Sequence, residues 1–223
     1  DYASRAAKNS LAGCFCAVFC DSAAAVRIHP WICFEKFRTK EKLQQNKAIY
    51  YGMVSMMDHY IGKILDHLEE NGQIDNTLII FTTDHGAFIG HHGLVGKGVF
   101  DYEDAVKIPF IASYKGKMPQ GVRSQALISL VDIAPTILGM AGKKIPRCMT
   151  GIDQTDVFMG NKKEIRDHVI VENRFQMTKF YVCTYIDKHY KLAFDMNSNE
   201  GELFDLKNDP NELINLWNDE KYK

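Results

Sequence analysis

The sequence predicts an α/β layer followed by a small antiparallel α+β subdomain, on three observations. A long amphipathic segment, Ala48–Asn71, ends at Gly72. A short apolar and β-branched run, Leu78–Thr82, follows it directly. Beyond about Gly151 the texture changes to short β-type runs divided by polar turns.

The helix is read from Tyr50, Tyr51, Val54, Met57, Ile61, Ile64, Leu65 and Leu68, which recur at spacings of three and four. Asp75-Asn76-Thr77 then makes a turn. Leu78–Thr82 has no polar alternation, so it reads as a strand buried on both faces, which points to a parallel sheet covered by helices. Residues 84–98 hold Gly86, Gly90, Gly93, Gly96 and Gly98, a loop of special backbone. A second buried strand is expected at Lys107–Ser113. A short helix is expected at Leu130–Met140, with Pro135 early in it and Gly142 beyond it. Val169–Glu172, Phe180–Ile186, Tyr190–Phe194 and Glu202–Leu206 read as the strands of the small sheet. The division expected is 1–150 and 151–223.

Composition narrows the classes of function. Lys and Arg number 27 against 28 Asp and Glu, for a net charge of −1, so there is no basic excess to neutralise nucleic-acid phosphates. At 46% apolar and 25% charged residues the chain is of ordinary globular type. No apolar run reaches the roughly 18 residues of a membrane helix. Cys14, Cys16 and Cys20 cluster while Cys33, Cys148 and Cys183 are scattered. Without a CxxC pair they read as reduced, partly buried thiols. Arg5 and Lys8 ahead of Leu11–Cys20 have the layout of a secretory leader. The first residue Asp1 and three cysteines in that stretch argue against one, and Phe15–Cys20 reads equally as a buried strand.

The chemistry concentrates where the first strand ends. In open parallel sheets ligands bind beyond the carboxyl ends of strands. Asp84 and His85 stand there, a carboxylate and an imidazole that can ligate a metal. Lys97 follows between two glycines, an ammonium on bendable backbone that can clamp an anion beside a cation. On these residues alone, Asp-His-Gly also serves as a plain turn, and a lysine between glycines as a solvated one.

The surrounding sequence bears on that choice. Asp75–Gly86, Gly90-His91-His92-Gly93-Leu94 and Gly96-Lys97-Gly98 resemble the sulfatase family of the alkaline-phosphatase-like superfamily. Tyr51–Asp58 with Ile61–Leu65 resembles the helix before the family's metal strand. Ile108-Pro109-Phe110, Val131–Leu138 and Ala141-Gly142 resemble segments after it. Glu202–Leu206 with Asp209–Glu212 and Asn215-Leu216 resembles its closing motif. The likeness runs in order over roughly residues 48–216, and residues 1–47 match poorly. It implies a partial alkaline-phosphatase-like sheet with flanking helices in 1–150 and a small antiparallel subdomain in 151–223.

The resemblance also implies roles. Asp84 and His85 match metal ligands, usually for calcium, and Lys97 matches the lysine that holds the sulfate and steadies the leaving oxygen. His92 lines the substrate pocket or is a structural loop histidine. His29, before Pro30-Trp31, stands near the family's earlier catalytic histidine, although its register is off by one and a turn role is the plainer reading. Lys107 replaces a usual arginine and so loses a planar fork. Family members are often secreted, periplasmic or lysosomal.

The family's nucleophile is a formylglycine made in Cys/Ser-x-Pro-x-Arg. Two places before the six prolines stand Ile28, Lys107, Lys117, Ile133, Lys144 and Asn208, so these 223 residues contain no such motif. The expectation is therefore a sulfuric ester hydrolase, acting on a sulfate-ester small molecule or sulfated glycan, present here without its nucleophile and inactive alone. Formylglycine is expected only in a missing N-terminal half. The rival readings are a phosphoric or phosphonic ester hydrolase of the same superfamily and a degenerate, non-catalytic sulfatase module. A chain lacking half a sheet is also expected to be prone to aggregate.

Overall fold

The computed structural model describes residues 39–98, 100–175 and 180–223. The N-terminal cysteine cluster, the leader-like stretch and His29 all lie outside them.

Helix α1 spans Lys40–Glu70. It starts earlier than apolar periodicity suggests, because the polar residues after Thr39 are good helix formers and the Thr39 hydroxyl accepts from Lys42 N at 3.3 Å. Its end is a left-handed glycine, Gly72 at φ +64°, with Gln73 N donating to Leu68 O at 2.8 Å. No residue of α1 is buried, and Ile49, Met56 and Ile64 are each more than half exposed.

Strand β1 is Ile79–Thr82 and β4 is Phe110–Ser113. They pair with each other, antiparallel, with Ile79 opposite Ser113 and Thr82 opposite Phe110. The parallel pairing expected for these strands is corrected on this point. Unbroken apolar runs report coverage of two faces and carry no information on strand direction. One face of the pair is open in this chain, where Phe81 and Ile111 stand opposite one another and both are exposed.

Between these strands the glycine-rich loop folds into a hairpin of β2, Phe88–Ile89, and β3, Val95–Gly96. Gly90 turns at φ +107°, and a Cβ there would come within 2.6 Å of Leu43 Cδ2. This close approach seats the start of α1 on the loop. Helix α2, Glu103–Val106, returns the chain toward β4. Helix α3, Ile133–Met140, follows a 3-10 turn at Leu130–Asp132. Buried Asp132 organises this region by accepting from Ser129 N at 3.0 Å, Ile152 N at 2.8 Å and Arg166 Nη2 at 2.5 Å. Helix α4, Thr155–Phe158, comes next.

The C-terminal sheet is a four-stranded antiparallel meander of β5, Val169–Phe175, β6, Phe180–Ile186, β7, Tyr190–Asp195, and β8, Gly201–Asp205. It matches the four expected runs closely. The main apolar cluster, Phe88, Leu94, Tyr102 and Phe204, joins the hairpin to this sheet. Lys191 of β7 is also buried between them, paired with Glu103 at 2.8 Å and Glu212 at 2.7 Å. Glu212 holds the other side by accepting from Glu103 N at 2.7 Å. Thr184 donates to buried Asp101 at 2.7 Å and Tyr102 to Glu202 at 2.9 Å.

Candidate functional site

Three of the expected residues meet just past the end of β1. Lys97 Nζ lies 3.2 Å from His85 Nε2, and the same Nε2 is 3.5 Å from Asp84 Oδ2. His85 Nδ1 contacts Gly86 O at 2.7 Å, which fixes that nitrogen as the N–H donor and leaves the lone pair on Nε2. The ammonium of Lys97 donates into that lone pair.

The Asp84 carboxylate is held by its neighbours. His85 N donates to Oδ1 at 3.0 Å and Thr83 Oγ1 at 3.2 Å. The His85 backbone bond, with the nearby imidazole and Thr83, keeps this carboxyl below its ordinary range. Its side chain is 81% exposed. An ionised oxygen donor and an imidazole nitrogen thus face the same space as the Lys97 ammonium. They fit as two ligands of a divalent cation, and no third His, Cys, Asp or Glu joins them among the described residues.

The backbone is shaped to this arrangement. Gly86 N donates to Ala105 O at 2.7 Å, and a Cβ at Gly86 would stand 1.8 Å from Asp104 O. Only glycine lets the strand-end loop lie against α2. Lys97 directly follows Gly96, which ends the hairpin at φ +84°, a backbone that favours glycine.

His92 packs against an aromatic neighbour. It stacks on Tyr102 at 4.0 Å with an interplanar angle of 11°, and makes no hydrogen bond to Asp84, His85 or Lys97. Burial, aided by the adjacent His91, pushes its imidazole down to about 4. Its backbone is left-handed at φ 50°. Lys107 pairs with Glu103 at 2.9 Å and is well exposed.

The sequence reading missed two groupings. His91 Nδ1 contacts Asp104 Oδ2, and with His92 they form a cluster whose ligand atoms all lie within 4.8 Å of one another. The other is the carboxylate set around Lys191. No spacing rule links residues brought together only by tertiary packing.

The comparisons with known proteins follow the same lines. The sulfatase family matches residues 20–143, and the family described as N-sulphoglucosamine sulphohydrolase, C-terminal, matches residues 90–223. An arylsulfatase of Clostridium perfringens is 34% identical over 195 residues, covering 86% of this chain and 40% of the relative. A protein solved in complex with its substrate D-glucosamine-2-N,6-O-disulfate superposes at a TM-score of 0.75 with 30% identity, covering 81% of this chain and 38% of that one. A phosphonate monoester hydrolase of Agrobacterium radiobacter superposes at 0.75 with 28% identity, covering 82% and 39%. The chain therefore spans about 40% of the length of the relatives it matches.

Proposed function

Since this chain belongs to the sulfatase family, we propose that it carries the metal-and-lysine part of a sulfate-ester hydrolase. The observation that carries the reading is the convergence of Asp84, His85 and Lys97 at the end of β1.

Asp84 supplies a fixed negative charge and His85 a lone pair on Nε2. Together they would hold one side of a divalent cation, calcium by family resemblance. When bound, that cation supplies polarisation of a sulfate oxygen. The space asks for more ligands than two, since a hard cation takes six or more oxygens. Imidazole is a softer donor than calcium prefers, so manganese is the second cation to test.

Lys97 has the second role. Once His85 Nε2 is engaged elsewhere, its three N–H donors are free for a tetrahedral anion. An ammonium preorganised beside the sulfate offsets charge that builds on the leaving oxygen as the S–O bond breaks. His92, under Tyr102, supports the loop that carries Lys97.

The nucleophile must come from outside these 223 residues, as the six prolines rule out Cys/Ser-x-Pro-x-Arg within them. A formylglycine in another part of the enzyme would supply the attacking oxygen. The exposed apolar residues of α1 and the open face of β1 and β4 support the same reading, as surfaces awaiting the rest of the core. A sulfated saccharide is the favoured substrate class, given the disulfated glucosamine bound by the 30% identical relative. A phosphonic ester is the second reading, resting on the similar hydrolase fold. Both are tetrahedral anions that a metal and a lysine would hold alike.

Calorimetry tests the proposal. Calcium or manganese is expected to bind the chain and to fail with Asp84→Ala. Sulfate binding in the presence of metal is expected to vanish with Lys97→Ala. With an aryl sulfate, turnover by the chain alone is expected to equal that of Lys97→Ala. Metal binding that is indifferent to Asp84→Ala, or turnover above the Lys97→Ala level, would sink it.

A further inference from the structure

We propose that His91, His92 and Asp104 form a second binding site, for a transition-metal dication of the zinc class, separate from the Asp84–His85 pair. The three side chains come from the tip of the β2–β3 hairpin and from α2. Each offers one ligand atom, and these atoms lie within 4.8 Å of one another. Two imidazoles and one carboxylate suit zinc, cobalt or nickel and are poor for calcium.

The contact between His91 Nδ1 and Asp104 Oδ2 accounts for only two of the three. It leaves His92 unexplained. The His92 Nε2 atom is fully shielded from solvent and has no hydrogen-bond partner. A buried polar atom left unpaired is costly, and a metal bond would remove that cost.

The backbone adds a further observation. His92 is one of two non-glycine residues with positive φ among those described, at φ 50° and ψ 18°. Such a conformation persists only where its surroundings hold it, and it aims the ring inward beside His91 at a centroid distance of 4.3 Å. His91 and Asp104 keep 35% and 24% of their side-chain surface, so an ion has a path in and a water can complete the shell. To admit zinc, the direct contact between His91 and Asp104 would open while the His92 nitrogen moves toward the ion, changes that side-chain rotations can supply. Bound metal would tie the hairpin to α2, whose Asp104 carbonyl abuts Gly86.

The test is a cobalt(II) titration of the whole chain, read by visible d–d absorption and by competition with zinc. One equivalent is expected to bind, to be displaced by zinc and to be indifferent to calcium. Asp104→Asn, which keeps the shape of the side chain, and His91→Ala are each expected to weaken it by about tenfold or more. Asp84→Asn is expected to leave it unchanged. As a second readout, zinc should raise the melting temperature of the parent and of Asp84→Asn but not of Asp104→Asn. Absence of the d–d band at stoichiometric cobalt, or a band retained in both His91→Ala and Asp104→Asn, would overturn the assignment. So would loss of the band in Asp84→Asn alone.

Discussion

Lys97 Nζ stands 3.2 Å from His85 Nε2, on the lone pair that a cation beside Asp84 would use. Lysine and cation are therefore rivals for one atom until an anion arrives to hold the lysine. Removing the ammonium as Lys97→Met should tighten calcium or manganese binding in sulfate-free buffer, by roughly fivefold for about 1 kcal/mol of relieved repulsion. The same change should abolish any gain in metal affinity on adding sulfate. Paired calorimetric titrations read both, and weaker metal binding by the variant would contradict the rivalry.

Gly86 and Gly96 make opposite demands. A methyl at Gly86 would meet the Asp104 carbonyl at 1.8 Å, whereas nothing lies within 4 Å of one at Gly96. Gly86→Ala must push α2 away from the strand end and should cost about 1–3 kcal/mol. Gly96→Ala meets only the penalty of a positive φ, about 1 kcal/mol. Urea unfolding of both variants checks the order, and equal losses would show that α2 yields freely.

Glu202 carries a pH signature. Burial raises its carboxyl and is the largest influence; the Tyr102 hydrogen bond and the Lys191 charge oppose it, while Glu212 and Asp101 add to the rise. The folded chain thus holds that proton more tightly than the unfolded chain, whose value is near 4.5. Stability is then expected to fall as pH climbs from that value through the raised one, and to stay lower above it. Glu202→Gln keeps an acceptor for Tyr102 without the charge. It should be more stable than the parent at neutral pH and lack this fall, as measured by urea midpoints between about pH 4 and 8. A variant less stable at neutral pH would mean that the charge is compensated.

The open apolar surface predicts self-association. Ile49, Met56, Ile64 and Ile111 are exposed on helix α1 and strand β4. The purified chain should show a light-scattering mass that grows with concentration, and Ile49→Lys with Ile64→Lys should reduce it. A sharp melting transition independent of concentration would contradict this.

Much of this structure was legible in the residues, and what was hidden has identifiable causes. The C-terminal meander followed from alternation between turns, since each strand pairs with its neighbour in sequence. Asp84, His85 and Lys97 lie close together because one strand end and one hairpin carry all three. The antiparallel pairing of β1 with β4 escaped, because a run such as Leu78–Thr82 records burial and not direction. The early start of α1 escaped because its first turns are polar. The contacts of His91 with Asp104 and of Lys191 with Glu103 cross 13 and 88 positions, so only the folded chain reveals them.

Buried Lys191 has a consequence for anyone recombining relatives of this chain. Its ammonium rides on the last sheet, while one of its two counter-charges, Glu103, belongs to the segment that follows the glycine-rich loop. A chimera that transplants the sheet onto a host lacking a carboxylate at that place would strand a cation in the seam. Crossovers between homologues should therefore carry Glu103, Lys191 and Glu212 as one inherited set.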